Sequence, residues 1–143
     1  MSLNKVVIVE AKRTPIGSFM GSLSKIPAAL IGTKSIEAAI KSISLNPNLI
    51  DEVYFGNVLQ AGVGQAPARQ SAIYAGIPKN VPCTTINKVC SSGMKSISIA
   101  AQSIALGENN VVVAGGMENM SMSPHYLNLR RGLKFGDATL NDV

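Results

Sequence analysis

The sequence predicts an α/β fold, a mainly parallel mixed sheet with helices on both faces. Three observations carry this reading. Short β-branched runs alternate with longer segments of helical apolar spacing, in the order β, α, β, α, β, α, β. Apolar residues make up 46% of the chain and aromatics only 4%, the composition of tightly packed aliphatic layers. The length of 143 residues suffices for one domain with its own core.

Val6-Val7-Ile8-Val9 is a β-branched run between polar residues and predicts a first strand buried on both faces. Thr14-Pro15-Ile16-Gly17 breaks it and opens a loop. From Ala28 to Ser42, Leu30, Ile31, Ile36, Ala39 and Ile40 recur at mostly helical spacing, and Asn46-Pro47-Asn48 turns the chain afterwards. Val53 to Leu59 predicts a second strand, followed by a loop with Gly62 and Gly64. Pro67 to Ala75 suits a short helix with proline in its first turn, closed by Gly76-Ile77-Pro78. Thr84 to Asn87 predicts a third strand, Ser91 to Leu106 a helix stopped by Gly107, and Val111 to Gly116 a fourth, buried strand. Such an alternation implies right-handed crossovers. Beyond Met117 the period stops, and residues 118–143 read as a loop-rich excursion from the sheet.

The net charge is +5, from 13 basic and 8 acidic residues. The densest basic stretch, Leu129 to Lys134, reads either as a solvated loop or as a patch that meets phosphates or a partner subunit. Nucleic acid is not expected as a partner, because no long basic stripe is interleaved with aromatics. Cys83 and Cys90 are the two cysteines, with no CxxC spacing, and the single histidine leaves no metal-ligand cluster. These counts point to a reducing compartment, and the opening residues carry neither signal nor transit pattern, so a cytoplasmic location is expected. The apolar runs are too short to span a bilayer. Gly62-Val63-Gly64 hints at a dinucleotide loop, but Pro67 occupies the third glycine position and the match is weak. Met117, Met120 and Met122 read as adaptable packing or as the lining of an acyl pocket.

The chemistry concentrates in Asn87-Lys88-Val89-Cys90-Ser91-Ser92-Gly93-Met94-Lys95. Cys90 falls between a short strand and a helix start, where the positive end of the helix dipole and unpaired N–H groups favour the reactive thiolate. The same N–H groups suit an oxyanion formed when sulfur attacks a carbonyl. The competing reading is a buried structural cysteine. The following helix carries small residues on all sides and almost no charge, which predicts an enclosed helix with close neighbours.

The Asn87–Lys95 segment resembles the nucleophile motif of thiolases, and four further segments resemble the same family in the same order. They are Val7 to Gly17, Phe55 to Gln70 with its Gly64-Gln65-Ala66-Pro67 stretch, Ala114 to Ser121, and Leu129 to Asp137. The last is similar to the loop used for tetramer assembly in acetoacetyl-CoA thiolases, and the whole is closest to the acetyl-CoA acetyltransferase branch. The resemblance implies a thiolase-like fold in its incomplete N-terminal half. Residues 1–120 would form the N-terminal domain without its last strand, and residues 121–143 the start of the loop and tetramerisation region.

By the same resemblance Cys90 carries an acyl thioester, its own N–H is one oxyanion donor, and two acetyl-CoA condense to acetoacetyl-CoA and CoA, or the reverse. Coenzyme A thioesters are then substrates, with no resident cofactor and no metal, and the full-length form is a homodimer or homotetramer working in fatty acid or other lipid metabolism. The family's Gly-His-Pro histidine, Cys-x-Gly-Gly-Gly cysteine and Asn-Glu-Ala-Phe motif do not occur in this chain. His125, in Ser-Pro-His-Tyr, reads as a loop or interface residue, and Cys83 as core. The chain alone is therefore expected to be unstable and inactive. Two other readings stand beside this one: a 3-ketoacyl synthase type of condensing enzyme, and a non-catalytic thiolase-like assembly fragment.

Overall fold

A computed structural model describes residues 3–130 and 132–143; Met1, Ser2 and Arg131 of the basic stretch lie outside the described residues. Strands β1 (Glu52–Gly56), β2 (Cys83–Ile86) and β3 (Val112–Gly116) form a three-stranded sheet in the order β2-β1-β3. All three run parallel, with Phe55 of β1 opposite Thr85 of β2 and Gly115 of β3. Each crossover carries a helix: α2 (Pro67–Tyr74) leads from β1 to β2, and α3 (Ser92–Leu106) from β2 to β3. Helix α1 (Ala28–Ser42) precedes β1 with the boundaries its apolar spacing predicts.

Successive residues of a strand point to opposite faces, and β1 shows which helix covers which face. A Cβ added to Gly32 of α1 would lie 2.9 Å from the Phe55 ring, so Phe55 fills the space beneath α1. One added to Gly56, the next residue, would lie 2.7 Å from the Ser92 carbonyl carbon, so that face belongs to α3. Helices thus cover both faces, with the apolar core on the side of α1 and α2. Ala29, Ile36 and Ile40 of α1, spaced at helical repeats, meet Val53, Phe55, Ala68 and Ala72 there. Against the other face α3 lays a stripe of buried small residues, Ser92, Ser96, Ala100 and Ser103. Gly107 ends α3 in the left-handed conformation (φ +80°) that glycine adopts without steric cost. At the start of β3 the Asp51 carboxylate accepts from the Asn110 and Val111 N–H groups at 2.7 and 3.0 Å. These bonds, Val111 first, hold its carboxyl below the ordinary value.

Three expectations need correction. Val6 to Val9 is not a strand, and Val7, Ile8 and Val9 are 61%, 78% and 70% exposed. Among the described residues the segment is tied only at its ends. The Asn4 N–H donates to the Ala105 carbonyl at 2.9 Å, and the Ser42 hydroxyl donates to Glu10 at 2.6 Å. A β-branched run becomes a strand only beside a free edge of matching register, and among the described residues none pairs with it. Val112 to Ala114, expected to be buried, are half-buried, because among the described residues β3 pairs with β1 alone. Helix α3 is not enclosed: Met94 and Ile97, opposite its buried stripe, are 75% and 46% exposed. Small residues all round a helix permit close approach on any face, but only one face is used. The sheet itself is wholly parallel. Its antiparallel complement is a separate pair of two-residue strands, β4 (His125–Tyr126) and β5 (Asn141–Asp142), within the excursion.

Gly56→Ala should lower unfolding stability by about 1–3 kcal/mol, the cost of overpacking, whereas Ser98→Ala on the exposed face of α3 should leave it nearly unchanged; urea denaturation checks both. Asp51→Asn should lower the melting temperature at neutral pH. A depressed folded-state carboxyl stabilises above its unfolded value, here 3.8, and loses that effect as pH falls through the lower folded value. The gap between wild type and Asp51→Asn should therefore close on acidification below that value.

Candidate active site

In a parallel sheet all carboxyl ends lie on one side, and ligands of open α/β sheets bind there. At that side a cleft of about 770 Å³ is walled by the residues that follow each strand: Asn57–Leu59 after β1, Val89 and Cys90 after β2, Met117–Asn119 after β3. The loop Lys12–Phe19 and one face of α1 complete it. Helix–strand contact is closest beneath this cleft, where Gly56, Gly93 and Gly116 meet. A Cβ on Gly116 would lie 3.3 Å from both the Gly56 carbonyl oxygen and the Gly93 Cα.

Cys90 is a free, exposed thiol on the cleft wall, two residues before α3 begins. Its turn is tightly determined. Asn87 Oδ1 accepts from the Val89 N–H at 3.1 Å. Ser92 Oγ accepts from the Lys88 N–H at 2.8 Å and donates to the Val89 carbonyl at 2.6 Å. The Ser91 and Ser92 N–H groups donate to the Lys88 and Val89 carbonyls at 3.1 and 3.0 Å. Val89, bracketed by these bonds, sits at φ +49°. That left-handed conformation is strained for a β-branched residue, by about 1–3 kcal/mol, and persists only where its surroundings over-determine it. The strained residue thus stands immediately before an exposed thiol, between strand and helix, an arrangement similar to a nucleophile elbow except that the strain falls on the preceding residue.

Glu118, after β3, closes the opposite wall. Its Oε2 accepts from the Val58 N–H at 2.8 Å and its Oε1 from Asn57 Nδ2 at 2.9 Å, while the Leu59 N–H lies 3.3 and 3.4 Å from the two oxygens. Asn57 is 1% exposed, and its Oδ1 has no partner among the described residues. Asn119 Nδ2 donates to the carbonyls of Ile26, Ser24 and Leu23 at 2.7, 3.1 and 3.3 Å, and Ser121 Oγ accepts from the Met20 N–H at 2.8 Å. These bonds fasten the loop after Gly17 to the β3 end. Sequence reasoning did not single out Val89, Ser92 or Glu118. For Glu118 the available signal was a lone acid after a Gly-Gly strand end.

The other candidates lie elsewhere. Cys83 opens β2, half-buried against the core, and burial pushes its thiol up despite the nearby Arg69. His125 is exposed on β4, its Nε2 3.9 Å from Asp142 Oδ1. Met117 is buried, its sulfur accepting from Ser71 Oγ at 3.0 Å. Met120 lies on the cleft wall while Met122 is exposed outside it. None of the described helices is long and apolar enough to cross a membrane.

The model of a protein family described as the thiolase N-terminal domain matches residues 6–143. Acetyl-CoA acetyltransferase 2 of Arabidopsis thaliana is 59% identical over 138 residues, covering 96% of this chain and 34% of the relative. The cytosolic acetyl-CoA acetyltransferase ERG10 of Gibberella zeae is 55% identical over 142 residues, covering 99% and 36%. The mitochondrial acetyl-CoA acetyltransferase of Homo sapiens is 51% identical over 142 residues, covering 99% and 33%. The chain thus spans about a third of the length of the curated relatives it matches.

Ser92→Ala should cost about 1–3 kcal/mol, because it strands the Lys88 N–H and the Val89 carbonyl in a partly buried turn. Urea denaturation reads the loss.

Proposed function

The chain belongs to the thiolase family through its N-terminal domain, and from that premise we propose that it carries the nucleophile of an acetyl-CoA C-acetyltransferase. The observation that supports this most is the exposed Cys90 thiol on a strained strand–turn–helix, at the carboxyl ends of three parallel strands. In this reading the Cys90 thiolate bonds to the carbonyl carbon of acetyl-CoA, and the carbon–sulfur bond to CoA breaks. The Cys90 N–H donates to the oxyanion on the way. The methyl carbon of a second acetyl-CoA loses a proton and attacks the acetyl-Cys90 thioester. Acetoacetyl-CoA leaves and the thiolate is regenerated; thiolysis runs the same steps backwards.

The resemblance assigns the base that takes the methyl proton and the acid that protonates the departing CoA sulfur to histidine and cysteine motifs that do not occur in this sequence, so acyl transfer to Cys90 and turnover are separable. The steps so drawn need no metal and no resident cofactor. A cytoplasmic location, a homodimer or homotetramer and a place in lipid metabolism belong to the same reading; the matched relatives include forms named cytosolic and mitochondrial.

Incubation with acetyl-CoA followed by peptide mass spectrometry should find acetyl on Cys90 and not on Cys83, and none on Cys90→Ser. Acetylation of Cys83 in preference to Cys90, or of neither in the folded chain, would overturn the proposal.

A further inference from the structure

Val89, the residue before Cys90, is held from one side by Asn87, and Asn87 is itself held. Its Nδ2 donates to the Val58 carbonyl at 3.2 Å while its Oδ1 accepts from the Val89 N–H. The Val58 carbonyl shares its peptide with the Leu59 N–H, which lies 3.3 and 3.4 Å from the two Glu118 oxygens, and the Val58 N–H itself donates to Glu118 at 2.8 Å. A continuous path of hydrogen bonds therefore runs from Glu118 after β3, through the Val58 peptide after β1, to Asn87 and the strained Val89 beside Cys90 after β2. It ties together the three strand ends that wall the cleft.

The carboxylate of Glu118 lies on the cleft wall, where an acid or base would be useful, but its oxygens are already committed. They accept from two backbone N–H groups and one amide, an arrangement that immobilises a carboxylate and leaves its lone pairs facing protein. Charge-assisted bonds of this kind are stronger than neutral ones and fix geometry as well as energy. The strain at Val89 gives the path its purpose. A left-handed valine relaxes when its surroundings loosen, and the adjoining Cys90 would swing with it.

We propose that Glu118 is a positioning residue for Cys90, acting through the Val58 peptide and Asn87 to hold the thiol in the orientation that a CoA thioester requires. This rests on the reading of Cys90 as the acyl-bearing nucleophile. It assigns Glu118 no contact with substrate and no proton to carry.

Two reagents separate orientation from reactivity. Iodoacetamide, a small electrophile with weak geometric demands, reports the availability of each thiol, with Cys83 as the reference in the same molecule. Acetyl-CoA reports whether Cys90 is aimed at a substrate carbonyl. Glu118→Ala and Asn87→Ala should each slow acetylation of Cys90 about tenfold, the scale of one lost hydrogen bond, and leave its iodoacetamide rate relative to Cys83 unchanged. The double variant should be no slower than the slower single one, because both interrupt one path. Glu118→Gln, which keeps one oxygen for the Val58 N–H, should recover most of the rate.

Acetylation of Glu118→Ala at the wild-type rate would overturn the proposal and leave the function reading standing. Faster alkylation of the half-buried Cys83 in both Glu118→Ala and Glu118→Gln would also overturn it, because the fold as a whole would then have loosened and the role would be purely structural. Wild-type protein that takes no acetyl group at all would remove the function reading, and this inference with it.

Discussion

The arrangement depends on a place where side chains are missing. Gly56 of β1, Gly93 of α3 and Gly116 of β3 meet at one point, and a single methyl on Gly56 would lie 2.7 Å from the Ser92 carbonyl carbon. Atoms do not approach so closely, so any side chain there would lift the first turn of α3 from the sheet. That turn contains Ser92, whose hydroxyl closes the loop around Val89 and Cys90. The position of the thiol is therefore set by backbone packing beneath it, and the hydrogen bonds of the turn refine what the glycines allow. Ser92, Ser96, Ala100 and Ser103 extend the same close contact along the helix.

How much of this was legible in the sequence follows from which forces act locally. Helix α1 was readable end to end from its apolar spacing, although the buried face also takes in Gly32 and Thr33 and leaves Leu30 exposed. The strands β1, β2 and β3 were readable as runs, with ends displaced by a few residues, because strand ends are set by pairing partners that a run does not contain. Val6 to Val9 shows that limit in full. Its composition is that of a buried strand, yet a strand also needs a neighbour on a sheet edge, and β-branched residues do not supply one. Helix α3 was misread for a related reason. Small uncharged residues show that a helix can be approached closely, not how many neighbours approach it.

The candidate site divides along the same line. Cys90 was legible because a lone thiol between a strand and a helix start is a local pattern, and the family resemblance of Asn87–Lys95 adds to it. The φ of Val89 was not, since valine is among the residues least expected in the left-handed region. Its conformation is imposed by Asn87 from one side and Ser92 from the other. Glu118 was quoted within a motif without a role, because its partners at Asn57, Val58 and Leu59 are about sixty residues away in the chain. A carboxylate satisfied by distant backbone N–H groups leaves no mark on its own neighbourhood.

The two cysteines show why topology decides the chemistry here. Both belong to the β2 segment, seven residues apart, and both are free thiols. Cys83 opens the strand, at the end of the sheet away from the cleft, packed against the core where burial disfavours its charged form. Cys90 follows the other end. In a parallel sheet the carboxyl ends gather the loops that can move apart and admit a ligand, while the amino ends are filled by returning connections. A thiol in the ladder is shielded by its neighbours, whereas a thiol one turn past the ladder is free to meet a substrate but also free to wander. The cost of exposure is thus orientation. The dense bonding of the Cys90 turn, the strain stored at Val89 and the commitment of Glu118 to the adjacent strand end all answer that cost. A valine kept left-handed beside an exposed thiol is thus a constraint on where that thiol can point.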